Sequence, residues 1–373
     1  MFLVNCIQRS DFFNVHLHQF ERILQKAFIE NIEIRIMNAL IFILCHFSDF
    51  FSNVTYVNRT SVNSHLVLGA GNFSVMHCWF ENMVSNGMGM IYNVNAVVGF
   101  MVVEYSSFYS CTSLNPGCGI RYQNEYGGCV ISHVCANKMK IGKSNIDAGG
   151  IFSYTLGYTL AKNDINLTTV SYCSETKEQM ESISMGKGKK IVISFNSSKN
   201  IANSYSGFYG CTDPNEVIYC TFINNSAISV VIGFRYTTGN NYLKYSNVVA
   251  NSIDDYGIMY CGGAVSYISD CYIASNIKQL FSVVTSGQIY ATNNFISHSY
   301  TFGIGIGTYK SFTGSTCLTH FKTFYCMNNQ VPLQTPKMTL PRTYSEVCIQ
   351  VILSHSREEK VFIPVFINVI ISL

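Results

Sequence analysis

Charge is what this chain has least of. Only 12% of its 373 residues are Asp, Glu, Lys or Arg and the formal net charge is +3, against an average charged content near 25%. No cluster of Lys and Arg alternates with aromatics, so nucleic acid is not an expected partner. Proline is scarce as well, with six in all, and Pro332, Pro336 and Pro341 fall close together. The packed part should therefore end near Gln330 and pass into an extended linker over 331–360. No Cys-x-x-Cys pair occurs, and Cys317, His320 and Cys326 lack a fourth ligand at a useful spacing, so no metal is expected. Gly142-Lys143-Ser144 resembles the end of a phosphate-binding loop, but Asn137 stands where such a loop needs glycine, and no cofactor is expected.

What the chain does have is Asn, Ser, Tyr, Gly and Thr, together with 26 Phe and 24 Tyr. Aromatic and β-branched residues suit strands, and uncharged polar residues can cover a surface that has few charges. A six-residue pattern of small or polar, any, large apolar, any, any, Asn returns four times. It runs from Cys220, Ser246, Cys271 and Asn293, and its anchors Phe222, Val248, Ile273 and Phe295 are 26, 25 and 22 residues apart. Similar copies surround Phe108 and Val134, with a looser one at Trp79. Periods in the twenties mean stacked repeats, each burying its apolar face against its neighbours. Leucine ladders and helix formers are missing, so neither leucine-rich nor helical repeats fit.

The remaining solution is an all-β, right-handed, single-stranded parallel β-helix over 53–330, with about 22–28 residues per coil and roughly eleven coils. Phe222, Val248, Ile273 and Phe295 would stack in one interior column. Asn225, Asn251 and Asn276 would form a ladder of hydrogen-bonded amides. Residues 175–190 look like a loop protruding from that body.

The ends differ from the middle. Residues 1–52 read as a non-β extension that carries a candidate signal or hydrophobic segment at 37–48, too short to span a bilayer. The apolar tail 361–373 is also too short to span; it reads as a truncated membrane anchor, a lipid-associated tail or a final strand, with membrane association the favoured expectation. Fifteen cysteines and six Asn-x-Ser/Thr sequons, at Asn53, Asn58, Asn72, Asn166, Asn196 and Asn224, lean towards the secretory route. Cys111/Cys118, Cys129/Cys135, Cys211/Cys220, Cys261/Cys271 and Cys317/Cys326 are near enough in sequence to bridge turns in an oxidised chain.

Cys261-Gly262-Gly263-Ala264-Val265 and Phe222-Ile223-Asn224-Asn225 resemble the short glycine and Phe-x-x-Asn repeats of chlamydial polymorphic outer-membrane proteins and of the similar trichomonad cell-surface β-helix families. The likeness covers about residues 70–330. It implies a surface-exposed protein associated with adhesion, meeting extracellular glycans or surface proteins. The rival is a polysaccharide lyase or glycoside hydrolase on the same pectin-lyase-like fold, which needs several carboxylates beside a basic residue. Asp254, Asp255, Asp270 and Arg235 are the residues such an enzyme would have to use. Asp254-Asp255 precedes Tyr256-Gly257, where Asp also serves an ordinary turn.

Overall fold

Phe51–Val331 forms one compact unit. The computed structural model describes residues 50–51, 56–297 and 306–311, apart from 96–98, 125, 143–148, 158–160, 175, 178–180, 236–238 and 285–286. The segment 37–48, Asn53, the linker 331–360, the tail 361–373, Cys317 and Cys326 lie outside the described residues.

The architecture is an all-β parallel β-solenoid, and no helix occurs among the described residues. One coil shows the plan. Asn241–Lys244 lies on face A, Asn247–Val249 on face B, Ser252–Ile253 on a short ladder, and Gly257–Gly262 on face C. Each strand pairs in parallel with its equivalent in the neighbouring coils. Faces A and B make up a 19-stranded sheet, because Gln288–Ser297 continues from one into the other, and face C has nine strands. Nine strands enclose about eight full turns rather than eleven. The difference has a physical source: successive partners on face C are 22 to 33 residues apart. Some coils thus carry more chain than a fixed 25-residue period allows.

The six-residue pattern is face B with its two bounding corners. Its first position faces inward at the corner between A and B, where the column runs Cys78, Ser106, Val134, Thr168, Phe195, Cys220, Ser246, Cys271, Asn294, the carbonyls from Cys78 to Cys271 each accepting from the next coil. Ser and Cys interchange there because each can donate to a nearby carbonyl. Ser246 Oγ donates to Lys244 O at 2.7 Å and Cys220 Sγ to Ile218 O at 3.2 Å. The residue just before this column is left-handed in all nine coils, from His77 (φ 52°) to Asn293 (φ 52°). A second left-handed column, Asn82, Ser110, Lys138, Tyr172, Lys199, Asn224, Ala250 and Ser275, closes face B. Two sharp corners separated by a three-residue strand are what give the motif its fixed length.

Inside, Phe80, Phe108, Ala136, Val170, Ser197, Phe222, Val248, Ile273 and Ile296 stack in one column. Phe295 does not belong to it. It pairs with Tyr272 on the outer side, its ring stacked on Tyr272 at 4.9 Å and 6°. Asn294 has taken the corner position, accepting from Cys271 N at 2.9 Å, so the last copy of the pattern begins one residue later than expected.

The asparagines after the second corner point inward and are buried. Asn251 Oδ1 accepts from Asn225 N (2.9 Å) and Asn225 Nδ2 (3.2 Å), and Asn251 Nδ2 donates to Asn276 Oδ1 (3.0 Å) and to Phe222 O (2.9 Å). Asn200 extends the ladder by one coil, its backbone N donating to Asn225 Oδ1 at 3.1 Å. Towards the N-terminus the same position holds Met83, Cys111, Met139 and Cys173, so an apolar stack continues where the amides stop.

The described residues within 175–190 do not form a protruding loop. Glu181–Met185 is a strand of face C and Lys189–Ile193 a strand of face A. The glycines between them turn the C-to-A corner, with Gly188 at φ 94°. Lys190, the last residue of that stretch, is fully buried. Its Nζ donates to Gly188 O at 2.8 Å and Asp213 O at 3.3 Å, and burial pushes its ammonium down to about 8.

Candidate functional site

A closed solenoid with a packed interior offers a partner its outer rows. Successive strands are about 4.8 Å apart, so one side chain per coil makes a regular array. On face A, Tyr242, Tyr267 and Tyr290 stack in sequence, with centroids 5.4 and 5.6 Å apart. Their ring faces are occupied by one another, so they present hydroxyls and edges outward. On face B the outer row runs Thr169, Asn196, Thr221, Asn247. Alternate members touch through Asn196 Nδ2 to Thr169 Oγ1 and Asn247 Nδ2 to Thr221 Oγ1, both 3.4 Å.

Face C is the most structured of the three. Its outer row reads Tyr92, Arg121, Tyr154, Ser184, Tyr209, Gly233, Tyr260. The guanidinium of Arg121 sits 6.0 Å from the rings of Tyr92 and Tyr154, one coil to each side, within cation–π range. Further along, the Tyr205 ring lies over Gly233, where a Cβ would come within 2.0 Å of Tyr205 Cε1. Tyr205 also stacks on Tyr209 at 4.4 Å and hydrogen-bonds Arg235. Glu181, opposite Tyr205 in the sheet, is 3% exposed, and its Oε2 has no hydrogen-bond partner. Burial pushes its carboxyl up to about 7, against the opposing pull of Ser184, the Gly149 backbone and the Arg235 charge.

The four residues that an enzyme would have to recruit are not brought together. Asp254 and Asp255 follow Ser252–Ile253 at the entrance to face C, where Asp254 Oδ2 pairs with Lys177 Nζ at 2.5 Å and its carbonyl accepts from Lys278 Nζ at 2.6 Å. Asp270 is the left-handed residue of the A-to-B corner, and Asn293 Nδ2 donates to it. Arg235 ends a face C strand, next to the third corner. Three corners of a triangular coil therefore hold them apart. Among the described residues no three His, Cys, Asp or Glu side chains are grouped to hold a metal ion.

Of the sequons, Asn58 and Asn224 are exposed, Asn72 and Asn196 half-buried, and Asn166 buried. The short-range disulfides expected within the described residues do not form. Cys111, Cys118, Cys129, Cys211, Cys220, Cys261 and Cys271 are free thiols, while Cys135 is disulfide-bonded. Equivalent corner positions place the thiols in interior stacks, and burial pushes Cys220 and Cys271 up to about 12.

The sequence singled out Arg235 only for the enzyme reading and passed over Glu181 and Arg121. Glu181 fell in a stretch taken for a loop. Arg121 is 29 residues from Tyr92 and 33 from Tyr154, spacings that a search near 25 passes over. No family model, curated protein or solved structure matches the chain.

Proposed function

We propose that this chain is a non-enzymatic binding rod of the cell surface or the secreted milieu, which contacts glycans or surface proteins through its outer rows. The observation that carries the reading is the set of ordered outward ladders, above all Tyr92–Arg121–Tyr154 on face C and Tyr242–Tyr267–Tyr290 on face A. Rigid rows of hydroxyl and aromatic side chains give many weak contacts at little ordering cost. The short motifs shared in kind with chlamydial and trichomonad surface β-helix proteins point the same way, as do the exposed sequons Asn58 and Asn224.

The rival reading, a polysaccharide lyase or glycoside hydrolase, draws on Glu181 beside Arg235. Glycoside hydrolysis ordinarily uses two carboxyl groups flanking the bond; Asp254 and Asp255 lie at the same face C entrance but three coils further along, and Asp270 stands at the A-to-B corner. The test is a panel of immobilised glycans together with the same polymers in solution. Retention of the purified chain on some glycans without release of new reducing or unsaturated ends is the expected result. Depolymerisation that is abolished by Glu181→Gln would replace the binding rod with the enzyme.

A further inference from the structure

Among the described residues, Arg121 is a cation with no counterion. It is half-buried, its Nε is shut away from solvent without a hydrogen-bond partner, and among the described residues it makes neither an ion pair nor a hydrogen bond. Glu181, on the same face, feels the charge of Arg235. Polar groups withdrawn from water ordinarily have partners, so a guanidinium held between two tyrosine rings with none is prepared for something that arrives. The terminal nitrogens are not among the buried ones, and they form a planar fork suited to a carboxylate or a sulfate.

We propose that Arg121, gripped by Tyr92 and Tyr154, is the anion-recognition point of face C, taking the oxyanion of an acidic glycan laid along the solenoid axis. This deepens the binding-rod reading and rests on it. The alternative occupant of an extended groove is an acidic peptide, which would add itself to a free strand edge. The strand carrying Arg121, Ile120–Asn124, has no free edge, being paired on both sides with Ile91–Asn95 and Gly150–Leu156. What the face offers beside Arg121 instead is the rings and hydroxyls of Tyr92 and Tyr154, one coil to each side, which suit a hydroxyl-rich polymer.

The test measures binding of the full chain to heparin, hyaluronate, neutral dextran and poly-glutamate, for wild type and Arg121→Gln, with melting curves to check folding. Heparin or hyaluronate should bind, and Arg121→Gln should weaken that binding by about tenfold or more, the loss expected for one charge-assisted contact. Preference for heparin identifies sulfate, and equal or better binding of hyaluronate identifies carboxylate. Affinity unchanged in Arg121→Gln overturns the proposal, as does poly-glutamate binding as tightly with the same Arg121 dependence. Dextran binding that ignores Arg121, with no acidic polymer bound, overturns it while leaving the binding rod standing. Should Arg121→Gln fail to fold, wild type still decides: the bound acidic polymer must protect Arg121 from phenylglyoxal, read by mass spectrometry, and no protection overturns the proposal.

Discussion

At the scale of single residues, the inward asparagines show how chemistry that looks decorative in a sequence becomes structural. Each Asn of the ladder satisfies backbone groups at a corner that no strand partner can reach. The side chain of Asn251 alone makes four hydrogen bonds, two to backbone groups and two to the amides of Asn225 and Asn276. Asn251→Ala leaves buried donors and acceptors unpaired and should lower the unfolding free energy by about 3 kcal/mol. Asn224, which precedes the ladder residue Asn225 in sequence, is exposed at φ 56°, and Asn224→Gly should stay within about 0.5 kcal/mol. Denaturant unfolding of the two variants checks the contrast.

Glu181 makes a second prediction at this scale. Its folded pKa of about 7 lies above the ordinary carboxyl value of 4.5. The fold therefore holds the proton more tightly than the unfolded chain does, and stability present below about 4.5 is lost as pH rises through about 7. His133, pushed down to about 4 by burial, changes stability in the opposite direction up to its ordinary 6.5. The difference between wild type and Glu181→Gln isolates the carboxyl. Relative to the variant, wild type should lose up to about 3 kcal/mol between pH 4.5 and 8. Parallel melting curves at a series of pH values measure it.

At the scale of elements, the corner is the unit that repeats. Non-glycine residues in the left-handed region cost about 1–2 kcal/mol each, and the A-to-B column accepts that cost in all nine coils. Ala250, at φ 53° with no side-chain hydrogen bond to lose, offers a direct probe. Ala250→Gly should raise stability by about 0.5–1 kcal/mol, and Ala250→Val should lower it by more than that. In a strand, the same change to glycine would destabilise.

This explains what could be read in advance. Phe222, Val248, Ile273 and Asn225, Asn251, Asn276 were legible because two left-handed corners fix the spacing between an inward apolar residue and an inward amide. Phe295 misled because Asn293, Asn294 and Phe295 present an amide and an aromatic in both candidate registers, and a one-residue slip exchanges inside for outside. Val134 misled in the same way, being a corner residue whose apolar side chain mimics an anchor, while the true column passes through Ala136. Lys190 was unreadable as a core residue because its partners are backbone carbonyls, one of them on the following coil.

At the scale of the whole molecule, the eight turns form a rod about 40 Å long, in which each coil depends chiefly on its neighbours. The sharp split between the amide ladder of the later coils and the Met/Cys stack of the earlier ones is a change of interior chemistry along one axis, with the outer rows continuing across it. That separation lets the outside carry function while the inside carries the fold. The proposed role requires those outer rows to face the medium around the cell.

Labelling of intact cells with a membrane-impermeant amine reagent tests that requirement most directly, because tightly stacked coils can resist proteases even where they are exposed. Lys199 and Lys278 lie on the solvent side of the coils. With the outer rows facing the medium, both should be labelled in intact cells to the same extent as in lysed ones, or the protein should be recovered labelled from the medium. Labelling only after lysis would contradict it.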